Sequence, residues 1–70
     1  MEITKWIMQQ YEIVRRSGAV NMFNMSGVAN VAAQFGFDEL EEVANDREQY
    51  MDLLKNFSSY MREFGVVQDG

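Results

Sequence analysis

The chain has no cysteine, no histidine and no proline in its 70 residues. Without cysteine there is no disulfide to staple a small fold and no thiolate to bind metal or attack a substrate. Without histidine the commonest zinc ligand and the commonest general base are both missing. Without proline nothing in the chain enforces a break in a helix. Continuous apolar runs are also lacking. The opening MEITKWIMQQYE mixes charge with apolar residues, so neither a signal peptide nor a membrane span is expected, and the expected setting is cytoplasmic.

Positive charge is scarce as well. Six Lys and Arg stand against eleven Asp and Glu, a formal net charge of −5. An acidic chain is repelled by phosphate backbones and anionic membranes, which argues against nucleic-acid and membrane partners. What is present is an apolar fraction of 47%, that of an ordinary folded domain. A chain this short buries only about 60% of the surface it exposes unfolded, so helix packing or association must hold it.

The periodicity predicts an all-α domain, a bundle of three to four helices over residues 1–64 with a loose tail over 65–70. The first helix is expected from Glu2 to Ser17, with Ile3, Trp6, Ile7, Ile13 and Val14 inward. Lys5, Glu12, Arg15 and Arg16 are placed opposite, in solvent. Gln10 falls inside the apolar face and requires a partner. Gly18 is a natural left-handed terminus. The second helix, Met25 to Phe35, is capped by Asn24 or Ser26, turns Val28, Val31, Ala32 and Phe35 inward, and ends at Gly36. A short third helix runs from Asp38, its expected N-cap, to Ala44. The fourth runs from Arg47 to Phe64, capped by Asp46, with Tyr50, Leu53, Leu54, Phe57, Tyr60, Met61 and Phe64 in one stripe closed by Gly65. The two long helices are expected to pack across the shorter pair. Met8 and Met51 fall off the main stripes, which leaves room for a self-associating face.

Between the first two helices lies SGAVNMFNMSG, Ser17 to Gly27, uncharged and rich in Met and Phe. Two readings stand. Val20, Met22 and Phe23 plug the end of the bundle while Asn21 holds the turn through nearby backbone. Alternatively the segment is an exposed Met/Phe patch for a partner.

VAAQFGFDELEEVANDR has the outline of a helix-turn-helix, with Ala32 and Gly36 four apart. Its second helix would present Asp38, Glu39, Glu41 and Glu42 and no base before Arg47. Phosphate neutralisation comes first in DNA binding, so this helix is poorly suited to it. The same acids make either a solvated face or a docking surface for a basic partner.

Catalysis has little to draw on. Ser17, Ser26, Ser58 and Ser59 lack a histidine to activate them. Glu41 and Glu42 diverge by about 100° on a helix and form no facing acid/base pair. No phosphate loop or calcium-loop spacing occurs, and no metal or cofactor is expected. The expected activity is therefore non-enzymatic protein binding. Partner contacts are placed on Asp38, Glu39, Glu42 and Asp46, with Asn21 and Met22 as a second site. A homodimeric structural or regulatory protein is the alternative, and a helix-turn-helix DNA binder the weaker one.

The order VRRSGAVNMF, then AAQFGFDEL, then Tyr50-Met51-Asp52-Leu53-Leu54 resembles a family of small uncharacterised helical proteins from phages and prophages of Gram-positive bacteria. The likeness covers about Ile13 to Phe57, and Ser17 to Phe23 is its most specific part. The resemblance implies a mobile-element setting and a host protein as partner. It implies no catalytic residue and no cofactor.

Overall fold

The computed structural model describes residues 2–66. They form five helices with no strand among the described residues: α1 Lys5–Ser17, α2 Met25–Phe35, α3 Asp38–Ala44, α4 Arg47–Lys55 and α5 Phe57–Phe64. The all-α expectation holds, but the number of helices exceeds it by one. α2 and α3 pack most extensively on each other, α1 lies against α2, α3 and α5, and α4 touches α3 and α5.

The extra helix comes from a break at Asn56, inside the expected long fourth helix. Asn56 leaves the helical region (φ −113°, ψ 20°). Its Nδ2 donates to the Asp52 carbonyl at 3.1 Å and to Asp52 Oδ1 at 2.9 Å, while the Tyr60 hydroxyl donates to Asp52 Oδ2. Asparagine competes for backbone partners in this way, which makes it a poor interior helix residue. The bend lets α5 leave the axis of α4 and reach α1.

α1 begins three residues later than expected. Thr4 is its N-cap, accepting the Ile7 N–H on Oγ1 at 3.2 Å. Ile3 and Met8, both buried, occupy the two staple positions around that cap. The inward face of α1 is also rotated from the expected one. Ile7, Met8, Tyr11 and Val14 are buried, whereas Trp6 and Ile13 are 62% and 51% exposed. Met8, expected off the stripe, is in the core. The helix has apolar residues on two sides, and packing against α2, α3 and α5 selects one of them.

Glu12 was expected in solvent and is instead buried. Two guanidiniums cover it. Arg15 reaches both carboxylate oxygens and Arg16 Nε donates to Oε1 at 3.1 Å. Arg15 also lies 5.9 Å from the Phe57 ring centroid, and Phe57 meets Tyr11 edge-on at 5.3 Å. The Glu12–Arg15–Phe57–Tyr11 chain thus fastens α5 to α1.

The ends of the other helices follow the sequence more closely. Asn24 Oδ1 accepts the Gly27 N–H at 3.1 Å, and Asp46 Oδ1 accepts the Gln49 N–H at 3.3 Å. After α2, Phe37 N–H bonds the Ala32 carbonyl and Gly36 N–H the Ala33 carbonyl. This closure requires the left-handed φ of 76° that Gly36 supplies. α3 departs from expectation. Its N-cap is Phe37, which offers no side-chain bond, and Asp38 is already its first helical residue.

The missing cap comes from elsewhere in the chain. Gln10 of α1 accepts the Leu40 N–H on Oε1 at 3.1 Å and donates from Nε2 to Glu39 Oε1 at 3.0 Å. The buried glutamine finds the partner its position requires, and α3 obtains an acceptor for one of its free N–H groups. Gly65 and Val66 close α5, with Val66 N–H on the Met61 carbonyl and the Val66 side chain against the core. Residues 67–70 of the expected tail lie outside the described residues.

Candidate functional site

The loop between α1 and α2 is held at successive points. Ser17 Oγ donates to the Val14 carbonyl and accepts the Ala19 N–H. Asn21 Oδ1 accepts the Phe23 N–H at 2.9 Å, and the Asn21 carbonyl accepts the Asn24 N–H at 2.9 Å. Asn24 then caps α2. Across the bundle, the buried Tyr50 hydroxyl donates to the Met22 carbonyl at 2.5 Å. Val20, Met22 and Met25 are half-buried against the core. Gly27 allows this approach, because a Cβ there would lie 2.5 Å from Val20 Cγ2.

Phe23 behaves differently from its neighbours. It is 81% exposed, the most exposed large apolar side chain among the described residues. The plug reading therefore holds for Val20 and Met22 and fails for Phe23. The Asn21 turn points Met22 inward and leaves the next side chain outside. Asn21 acts on its own backbone, and Met22 offers the core its side chain and Tyr50 its carbonyl. Asn21 is exposed and Met22 half-buried.

The acidic residues divide in the same way. Glu39 is half-buried, and the Gln10 amide beside it holds its carboxyl below the usual glutamate value, helped by a backbone N–H. Asp46 is occupied as the α4 cap. Asp38 and Glu42 are exposed and form no ion pair among the described residues. Asp46 is exposed as well, with only Oδ1 engaged in the cap. All charged side chains of α3 are acidic, which complements its N-terminal dipole but leaves nothing to neutralise a phosphate.

A second surface escaped the sequence reading. Trp6, Gln9, Ile13 and Arg16 follow one ridge of α1 and, with Glu12 and Val66, line an open groove of about 390 Å³. Trp6 and Ile13 stand seven residues apart, a helical repeat distinct from the Ile7–Met8–Tyr11–Val14 face. That spacing was the available signal. Phe35 is also outward, 43% exposed rather than inward, with its ring edge-on to Phe37 at 5.6 Å. Met51 is 39% exposed.

The tyrosines are the other perturbed groups. Burial pushes the Tyr50 hydroxyl well above the usual phenol range, and burial raises Tyr11 despite the opposing charge of Arg15. The hydrogen bond to Asp52 pushes Tyr60 up to about 12, with burial and the Asp52 and Glu63 charges adding to it. Tyr50 and Tyr60 are thus neutral hydroxyl donors near neutral pH. Among the described residues no group of three or more acids is placed to hold a metal, and no helix is long and apolar enough to cross a membrane.

No curated protein and no solved structure matches the chain. A family model does match, over residues 3–54, from the residue before the Thr4 cap to the last turn of α4. It covers the Gln10–Leu40 tether, the held loop and the acidic helix, and stops short of α5. The chain therefore belongs to the family described as a domain of unknown function, DUF5049.

Proposed function

We propose that this chain is a non-enzymatic protein-binding module that docks through Phe23. The observation that carries this reading is the 81% exposure of Phe23 on a loop whose neighbours are fixed. An apolar ring displayed by a rigid loop loses little freedom on binding, and a single aromatic anchor can dominate an interface. Asp38 and Glu42 supply the electrostatic part, steering a partner with a basic surface. The resemblance to phage and prophage proteins favours a host protein as that partner, with modulation or inhibition as the outcome. The helix-turn-helix outline of α2 and α3 gives weaker support to DNA binding, because every charged side chain of its second helix is acidic.

The test is affinity capture from a Gram-positive lysate with three baits: the native chain, Phe23→Asp, and Asp38→Lys with Glu42→Lys. A host protein retained by the native chain and lost with Phe23→Asp is the expected result. The lysine pair should reduce its capture less, and more so at low salt. Capture that survives Phe23→Asp would overturn the reading.

A further inference from the structure

We propose that the bend at Asn56 is a hinge through which two copies of the chain exchange α5. In the exchanged pair, α4 and α5 run on as one straight helix from Arg47 to Phe64, and each α5 takes the place of its counterpart on the second copy's α1. The first observation is the backbone at the bend. Two hydrogen bonds cross it, from the Asn56 N–H to the Asp52 carbonyl at 3.0 Å and from the Tyr60 N–H to the Asn56 carbonyl at 2.9 Å. Asn56 offers α5 no side-chain cap. The N–H groups of Phe57, Ser58 and Ser59 are first-turn donors without a helical partner, and the carbonyls of Leu53, Leu54 and Lys55 are their counterparts at the end of α4. Straightening pairs the two sets. The dihedral change falls on Asn56, whose φ of −113° and ψ of 20° move to helical values.

The second observation is the apolar stripe, which keeps its helical phase through the bend. Leu53 is buried on α4, and on α5 Met61 is buried while Phe57, Tyr60 and Phe64 are half-buried. The site that α5 fills on its own α1 is present unchanged on a second copy, so the exchange demands no new complementarity. Phe57 meets the second copy's Tyr11 and Arg15 as it meets its own. A latch of side chains holds the closed form. The Tyr60 hydroxyl and Asn56 Nδ2 both donate to the Asp52 carboxylate. In a straight helix residues eight apart are separated by about 12 Å along the axis, and side chains lean toward the N-terminus, so the Tyr60–Asp52 bond belongs to the bent form alone. The latch favours the closed single chain when dilute, and concentration favours the exchanged pair. The Tyr50–Met22 bond lies ahead of the hinge within one chain, so this exchange and capture through Phe23 succeed or fail separately.

Light scattering of the full chain, unfolded in denaturant and refolded at about 10 μM and at about 1 mM, tests the exchange over the range of weak association. The expected result is one chain at the lower concentration and a mass rising toward two chains at the higher. Asn56→Ala removes a latch donor and supplies the best helix former, and should lower the concentration of half-association by about tenfold or more. Ser58→Pro keeps the bent form, since proline fits a first turn, but in a straight helix its ring meets the Leu54 carbonyl. It should refold to one chain at both concentrations with the circular dichroism unchanged. In a dimer of one isotope-labelled and one unlabelled chain, NMR should find the Tyr11–Phe57 ring contact between chains. A one-chain mass for the native protein at both concentrations overturns the proposal. So does a dimer that Ser58→Pro leaves intact, or one whose Tyr11–Phe57 contact stays within each chain.

Discussion

The side-chain carbonyl of Gln10 accepts the backbone N–H of Leu40 at 3.1 Å, across thirty residues of chain. One buried amide thereby caps α3, whose own N-cap Phe37 has no polar side chain, and orients Glu39 through its other end. Replacing Gln10 by methionine keeps the volume and removes both bonds. The Leu40 N–H is then left without its partner, at a cost of about 1–3 kcal/mol. For a domain of this size each kcal/mol moves the melting temperature by about 4–8 °C. Thermal unfolding measures this, and NMR titration should find the Glu39 carboxyl returned toward the ordinary glutamate value.

The same tether separates the acids of α3 by role. Glu39→Lys presents an ammonium, which can only donate, to an amide donor, and should lower the melting temperature. Glu42→Lys changes the charge by the same sign in solvent, beyond the first turn of α3, and should leave stability within about 0.5 kcal/mol, as surface substitutions do. Equal melting temperatures for the two proteins would contradict the role given to Gln10.

Alkaline pH provides a third test. All three tyrosines have folded pKa values raised above the ordinary 10.0. A group with a raised folded pKa contributes stability that is complete below its unfolded pKa and is lost as pH rises through the folded one. The tyrosine contribution is therefore intact up to about pH 10. For Tyr60 it declines from there through a folded value of about 12. An ultraviolet titration should place phenol ionisation above the ordinary value. Tyr60→Phe should remove the part of the stability loss that comes from the Asp52 contact.

Gly27 lies in the first turn of α2, where alanine would ordinarily be the better helix former. Here an added Cβ would lie 2.5 Å from Val20 Cγ2 and 2.8 Å from Asn24 Nδ2. Gly27→Ala is expected to destabilise by about 1–3 kcal/mol, as overpacking does. A stabilised variant would mean that Val20 and the Asn24 cap yield freely.

Much of the architecture is legible from local chemistry. Asn24, Asp46, Gly18 and Gly36 mark their helix ends because capping is decided within a few residues. Gln10 announces a need for a partner by sitting among apolar neighbours, though nothing local says that the partner is Leu40. The break at Asn56 is hidden for a physical reason. Asn56 N–H still bonds the Asp52 carbonyl, and Tyr60 N–H the Asn56 carbonyl, so the apolar period runs on across the bend. The choice between the two apolar sides of α1 is likewise tertiary, because Trp6 and Ile13 are as apolar as the Ile7 and Val14 that displace them. Of the acids marked for a partner, Glu39 and Asp46 prove to be occupied, since a free carboxylate and a bonded one look alike in a sequence.

The central claim is that the loop is built inward through Met22 and Tyr50 and outward through Phe23. Thermal unfolding of Phe23→Asp beside Tyr50→Phe tests it most directly. Phe23→Asp should leave the native stability within about 0.5 kcal/mol. Tyr50→Phe, which strands the Met22 carbonyl, should lose about 1–3 kcal/mol. A loss of about 3–5 kcal/mol in Phe23→Asp would make Phe23 a core plug and would contradict the display on which the proposed function rests.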